Sequence, residues 1–242
     1  MLKKIAIALL MGASCLTFQM NPASAEGFDE LKNPHSGFFY IITKPVDVNI
    51  KQQMERAYNL IMEGKDYDMA IAVLDEVIKL DPENSEAYML RGLARTELKE
   101  YNKADNNYEA AIKIEPANPT FYYYRALNRL YQGYSDRSDG RWIRIGADNQ
   151  EVYVCICDRL ALEYFKKAIE LAPYYVDAIV SLGDTYCRIA SRESYNNGNG
   201  RRAYTYRTAI GEYNKILVLF PNHNVVLSKK ADAQEAMEKV GK

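Results

Sequence analysis

The chain has 242 residues, with 31 basic and 32 acidic side chains and a formal charge of -1. That length needs no disulfide staples to build a core, and so balanced a charge gives no global reason to expect nucleic acid or an anionic membrane as partner. Tyr is the unusual feature, with 20 residues against seven Phe and one Trp.

Met1-Leu2-Lys3-Lys4 is a short basic start, Ile5 to Leu16 is apolar, and Ala23-Ser24-Ala25 supplies small residues for a signal peptidase. Residues 1–25 therefore read as a secretory signal peptide, too short in its apolar run to span a bilayer. Anchoring as a lipoprotein through Cys15 ranks second, because Gly12 stands where such signals carry a branched apolar residue. Cleavage removes Lys3 and Lys4 and no acid, so acids outnumber bases by three in an exported, slightly acidic chain. It also leaves Cys155, Cys157 and Cys187, which are either buried thiols or a free thiol beside one bridge from Cys187. No metal and no cofactor are expected, since His35 and His223 are isolated.

Residues 26–50 form an extended segment containing the apolar run Gly37 to Ile42, expected to pack on the following domain or pair as a strand. Residues 51–221 hold an internal repeat. Leu80-Asp81-Pro82 returns as Ile114-Glu115-Pro116 at an offset of 34, and the same offset carries Tyr67 to Tyr101, Ala70 to Ala104, Tyr88 to Tyr122 and Arg91 to Arg125. Further copies end at Pro173 and Pro221, at offsets of 57 and 48, so insertions near 133–157 and 191–206 interrupt the period. Apolar residues three and four apart predict two helices per unit, broken at Gly64-Lys65-Asp66 in the first and stopped by the Pro after the second.

Tyr88-x-x-Arg91-Gly92, Tyr101-x-x-Ala104-x-x-x-Tyr108-x-x-Ala111 and Pro116 resemble the tetratricopeptide repeat. The resemblance implies an all-α solenoid of about four helix-turn-helix units. It departs at Tyr58, where a small residue is usual, and at Arg95 and Arg129, where an aromatic is usual. It implies a concave groove lined by Met89, Leu93, Tyr123, Leu127 and Tyr131, with Val180 and Asp184 further along. The main clamp positions of carboxylate-binding relatives are here Glu55, Met89, Tyr123 and Val180, which argues against carboxylate clamping and for an apolar segment.

In the first insertion, the β-branched and aromatic residues of Trp142 to Ile145 and Glu151 to Ile156 predict a β-hairpin; the alternative is an extension of the next helix. Trp142 is either a partner anchor or core. The second insertion, divided evenly, lengthens each of two helices by seven, close to two turns, with the reversal at Asn196 to Gly200. Arg188, Arg192, Arg201, Arg202 and Arg207 oppose only Glu193 between residues 186 and 207, interleaved with Tyr186, Tyr195, Tyr204 and Tyr206. This basic arm is suited to an acidic protein or peptide partner, a cell-wall polymer or a lipid head group; export argues against nucleic acid. Residues 222–242 predict a capping helix with Val225, Val226, Ala231 and Met237 on its apolar side.

Together these features predict a non-enzymatic interaction scaffold. The alternatives are a cell-wall-acting enzyme, or an accessory subunit of one, using surface carboxylates, and a protein that self-assembles.

Overall fold

The computed structural model describes residues 48–135, 142–145, 152–192 and 199–240, all within the unit Lys44–Lys242. The expected signal peptide at 1–25, the rest of the segment before residue 48 and the tip expected at 196–200, up to residue 198, lie outside the described residues.

Unit 1 pairs α1 (Val48–Asn59), extended by one π-turn (Leu60–Gly64), with α2 (Tyr67–Leu80). Unit 2 pairs α3 (Ser85–Glu97) with α4 (Tyr101–Ile114), and unit 3 pairs α5 (Pro119–Ser135) with α6 (Ile156–Leu171). Unit 4 pairs α7 (Val176–Arg192) with α8 (Asn199–Leu219), and α9 (Asn224–Val240) follows. Successive helices pack on one another throughout, with lighter contacts between α1 and α3, α3 and α5, and α7 and α9. The fold is the expected all-α solenoid of four units plus a last helix.

The turns between units carry the repeat in its clearest form. In α2, α4, α6 and α8 the residue before the Pro makes the last helical bond, from Asp81, Glu115, Ala172 and Phe220 N–H to the carbonyl four residues back. Those four residues' own carbonyls then accept from the N–H of Asn84, Asn118, Tyr175 and His223. The same turn thus recurs four times across offsets of 34, 57 and 48. Asp66 and Asn84 cap α2 and α3 by accepting from Met69 and Ala87 N–H at 3.1 and 2.9 Å. Within units 1 and 2 the chain reverses at Lys65 and Lys99, equivalent positions of the repeat, with φ of 50° and 61°.

Inside units 2 and 4 a large residue on the second helix meets a small one on the first. A Cβ on Gly92 would lie 2.8 Å from the Tyr108 ring, and one on Gly183 would lie 2.5 Å from the Tyr213 ring. Glycine is required there to let the rings seat, and both are almost fully buried. Ala126 and Phe165 hold these positions in unit 3 and are also buried. Unit 1 inverts the sizes, with Tyr58 on the first helix and Leu74, fully buried, on the second. That exchange accounts for the departure at Tyr58.

The hairpin lies between the two helices of unit 3. β1 (Trp142–Ile145) and β2 (Val152–Cys155) pair antiparallel with Trp142 opposite Cys155, and α6 starts directly after β2. The side chain of Trp142 is outside the described part of the structure. Cys155, Cys157 and Cys187 are not joined by a disulfide. In the second insertion, α8 has 21 residues against 14 in α4, the extension expected, whereas α7 has 17 against 13 in α3, an extension of four among the described residues.

The apolar side of α9 needs correction. Val226, Ala233 and Val240 are buried, and Met237 packs beside them, but Val225 and Ala231 are exposed. At about 100° per residue Val225 turns a quarter of the way round the helix from Val226, and Ala231 turns about 140°. Counted from the Pro of the preceding turn, Ala231 stands where Gly92 stands in α3. Positions of the buried Met89, Leu93 and Thr96 become Ser228, Asp232 and Glu235, so the side that would receive a second helix is polar. The last helix is the first half of a fifth unit, finished as a cap.

Candidate interaction surface

Two surfaces were expected to bind, the concave groove and the basic arm. Along the first, Met89, Leu93 and Tyr123 are buried, Leu127 is half-buried, and Tyr131 is 44% exposed. The residues expected on an open groove are therefore mostly interior, and the cause is aromatic. The Tyr123 ring lies 5.1 Å from Tyr175, 5.4 Å from Tyr124 and 5.9 Å from Phe165, centre to centre. Burial, then the nearby Asp177 carboxylate, raises the Tyr123 hydroxyl above its ordinary range, and Ser181 bonds it. Val180 is half-buried. Asp184 is occupied: it accepts from the Tyr213 hydroxyl at 2.6 Å and from Lys229 at 2.7 Å.

The joints between units are polar and specific. Arg91 on α3 pairs with Asp75 on α2, and one repeat later Arg125 on α5 pairs with Glu109 on α4. Arg125 also forks onto both oxygens of Asp105 at 2.9 Å, and Arg129 reaches the same carboxylate at 2.6 Å. The departure at Arg129 thus has a structural role in joining α4 to α5. Beside this joint, the Tyr108 hydroxyl, Thr96 and the fully buried Asn128 are linked at 3.0 Å, and Asn128 donates to the Tyr101 carbonyl. Thr96 has one proton, for the Gly92 carbonyl or Asn128 Oδ1, so the Tyr108 hydroxyl donates to Thr96.

The arm changes most. Arg188 is buried, bonding Asp158 and the Leu130 carbonyl, and Arg192 pairs with the second Asp158 oxygen at 3.5 Å. Asp158, 1% exposed, joins α5, α6 and α7 through these contacts. Counting charge between 186 and 207 missed it because it lies far outside that window, at the start of another helix. Two of the five arginines are therefore structural, and Arg202 is bonded to the Ala190 carbonyl at 3.1 Å. Arg201 is half-buried and Arg207 exposed, and among the described residues neither guanidinium forms an ion pair or hydrogen bond. Between them Tyr204 is 61% exposed. Arg201, Tyr204 and Arg207 are what remains of the arm as an outward surface.

Among the described residues no group of three or more His, Cys, Asp or Glu is arranged to hold a metal ion, and no helix is long and apolar enough to cross a membrane. Near the start of α3, burial and the adjacent Glu115 carboxylate push Glu86 up to about 7.

Fold and surface define an α-solenoid of stacked helix pairs, a class whose exposed residues are set by the register of one repeat on the next. Residues 55–84 and 85–118 match the tetratricopeptide repeat family, and the chain is a tetratricopeptide-repeat protein. The matched stretch covers units 1 and 2; units 3 and 4, separated by insertions, are shown by the structure. MamA (residues 41 to the end) from Desulfovibrio magneticus RS-1 is similar in structure, with a TM-score of 0.51, 20% identity, and coverage of 73% of this chain and 79% of that one. A MamA RS-1 double mutant gives a TM-score of 0.50 at 20% identity, covering 74% and 79%. At that identity the likeness concerns fold. No curated protein matches the chain in sequence.

Proposed function

We propose that this chain is a non-enzymatic scaffold, exported to the cell envelope or beyond, that holds an acidic protein partner on the outer face of its long eighth helix. The observation that carries this reading is a contrast among arginines. Arg91, Arg125, Arg129, Arg188 and Arg192 are each engaged by a carboxylate of the solenoid. Arg201 and Arg207 have no such acid among the described residues and flank an exposed Tyr204. Forked guanidinium donors beside a rigid aromatic ring are well suited to a carboxylate-bearing protein surface. Two cations unpaired on this face among the described residues fall short of the clusters of four to eight that hold a segment on anionic lipid, which favours a protein over a membrane surface.

The reading is tested by crosslinking capture from the native envelope with wild type and an Arg201→Glu, Arg207→Glu double variant. Loss of capture at unchanged melting temperature is expected, because neither side chain supports the fold; undiminished capture would sink the proposal. Export is checked separately by mass spectrometry of the processed chain. Glu26 is expected as the first residue, and a lipid on Cys15 would contradict it.

A further inference from the structure

The groove side of each unit's first helix is a stripe of residues spaced three and four apart. On α3 it runs Glu86, Met89, Leu93, Glu97, so two buried apolar residues lie between a half-buried and an exposed carboxylate. The repeat carries the same stripe onto its neighbours. On α1 it presents Glu55 and Glu63, both exposed, and on α7 Asp177, half-buried. On α5, in the middle, it holds no charge, and Tyr123, Leu127 and Tyr131 make an apolar and aromatic floor. Asp177 is close enough to this floor to raise the Tyr123 hydroxyl, after burial itself.

The acids of this face are left without cations. Among the described residues the carboxylates of Glu55, Glu63, Glu86 and Glu97 form no ion pair and accept no hydrogen bond. Acids on the second helices are treated differently: Glu76, Glu109, Glu163, Glu170 and Glu212 each have a Lys or Arg three or four residues away. Against the groove acids stands Arg56, one residue on from Glu55, while Arg188, on the stripe of α7, is buried on Asp158. Burial and the Glu115 carboxylate hold Glu86 at about 7, the response of a carboxyl that faces an acid and no cation. Eight residues separate Glu55 from Glu63 and eleven separate Glu86 from Glu97, about 12 and about 16 Å along their helices. Carboxylates spread that widely over several helices cannot meet on one metal ion, and they match a chain that carries its own spaced cations.

We infer that the concave face receives a basic segment of a partner protein, its Lys or Arg heads reaching these carboxylates while their stems lie on the aromatic floor of α5. The outer face of α8 is a different surface with the opposite charge preference, and the groove does not rest on the acidic-partner reading given to it.

Fluorescence anisotropy of the full chain with a labelled peptide of alternating Lys and Ala tests this. At about twelve residues the peptide spans about 40 Å when extended, and a Glu and Ala peptide of equal length is the comparison. The Lys peptide is expected to bind with a Kd of roughly 10–500 µM at about 50 mM salt and to weaken severalfold by about 300 mM, and the Glu peptide not to bind. Glu55→Lys with Glu97→Lys should weaken binding at least about tenfold, and Glu76→Lys with Glu170→Lys, the same charge change on second helices, less than about threefold. All four positions are exposed, so circular dichroism is expected to show the fold unchanged. Arg201→Glu with Arg207→Glu should not weaken the peptide, so the groove and the acidic-partner reading fail separately. No binding of the Lys peptide at about 1 mM protein, or equal losses from the two Glu→Lys pairs, would overturn the inference.

Discussion

Units 2 and 4 seat a tyrosine on a glycine in the same way, yet the two hydroxyls end in opposite chemistry. Tyr108 donates to Thr96, and through it joins Asn128 on the following helix in a buried, neutral network. Tyr213 donates to Asp184, whose other oxygen takes Lys229 from the following helix, with both charged side chains about a third or more exposed. Thr96 and Cys187 hold one position, four residues after each glycine, and the Cys187 sulfur sits 3.8 Å from the Tyr213 oxygen. At Tyr108 the hydroxyl ends in a dry, neutral network; at Tyr213 water reaches it and an ion pair is tolerable.

The sharpest way to break that comparison is at the charged joint that is not wet. Asp158→Ala leaves Arg188 buried without its carboxylate and should cost about 3 kcal/mol or more in urea unfolding. A loss under about 1 kcal/mol would mean that solvent already reaches the site. Next in size, Gly92→Ala and Gly183→Ala force a Cβ into the Tyr108 and Tyr213 rings. Each should lose about 1–3 kcal/mol despite the better helix propensity of alanine. Similar costs would show that the two slots share one steric logic; a cheap Gly183→Ala would show that the rear slot yields.

Glu86 gives a smaller, pH-dependent test of the front half. Its folded pKa of about 7 is above the ordinary carboxyl value of 4.5, so the folded state binds the extra proton between those values. The stability it contributes is present below about 4.5 and is lost as pH rises through about 7. Glu86→Gln should flatten that decline and raise stability at pH 8 by about 1 kcal/mol; an unchanged profile would remove the assignment. Smallest, Gly211→Ala should gain about 0.5–1 kcal/mol, the opposite sign from the other two glycines, because Gly211 is exposed inside α8 and a Cβ there would meet nothing within 4 Å. A loss would mean that α8 already packs against something there.

The repeat was readable because one turn, Pro after a helix and a new helix three residues after the Pro, is written into four places. The hairpin was readable because Trp142 to Ile145 and Val152 to Cys155 are dense in β-formers. Asp158 was not, because its ion pairs join positions distant in sequence, on different helices, without repeating anywhere else in the chain. The groove was misjudged in detail for a related reason. Family resemblance fixes which face Tyr123 occupies, but its neighbours Tyr175 and Phe165, which bury it, come from other parts of the chain. The rotation of α9 was misread because Val225 and Val226 are equally apolar, and only packing against α8 selects between them.

The placement of the hairpin has a kinetic consequence. Helices in unit 2 are joined by a connection of three, whereas those of unit 3 are joined by one of twenty. Closing the longer connection costs roughly 2 kcal/mol more chain entropy. In a chain whose helices pack on their immediate neighbours, folding propagates from unit to unit and pauses at the costliest closure. The junction of α5 and α6 is therefore the natural border between two cooperative blocks, with Arg188, held by Asp158 and bonded to the Leu130 carbonyl on α5, as a latch across it. Native-state hydrogen exchange should resolve residues before and after that border as separate steps once the latch is removed.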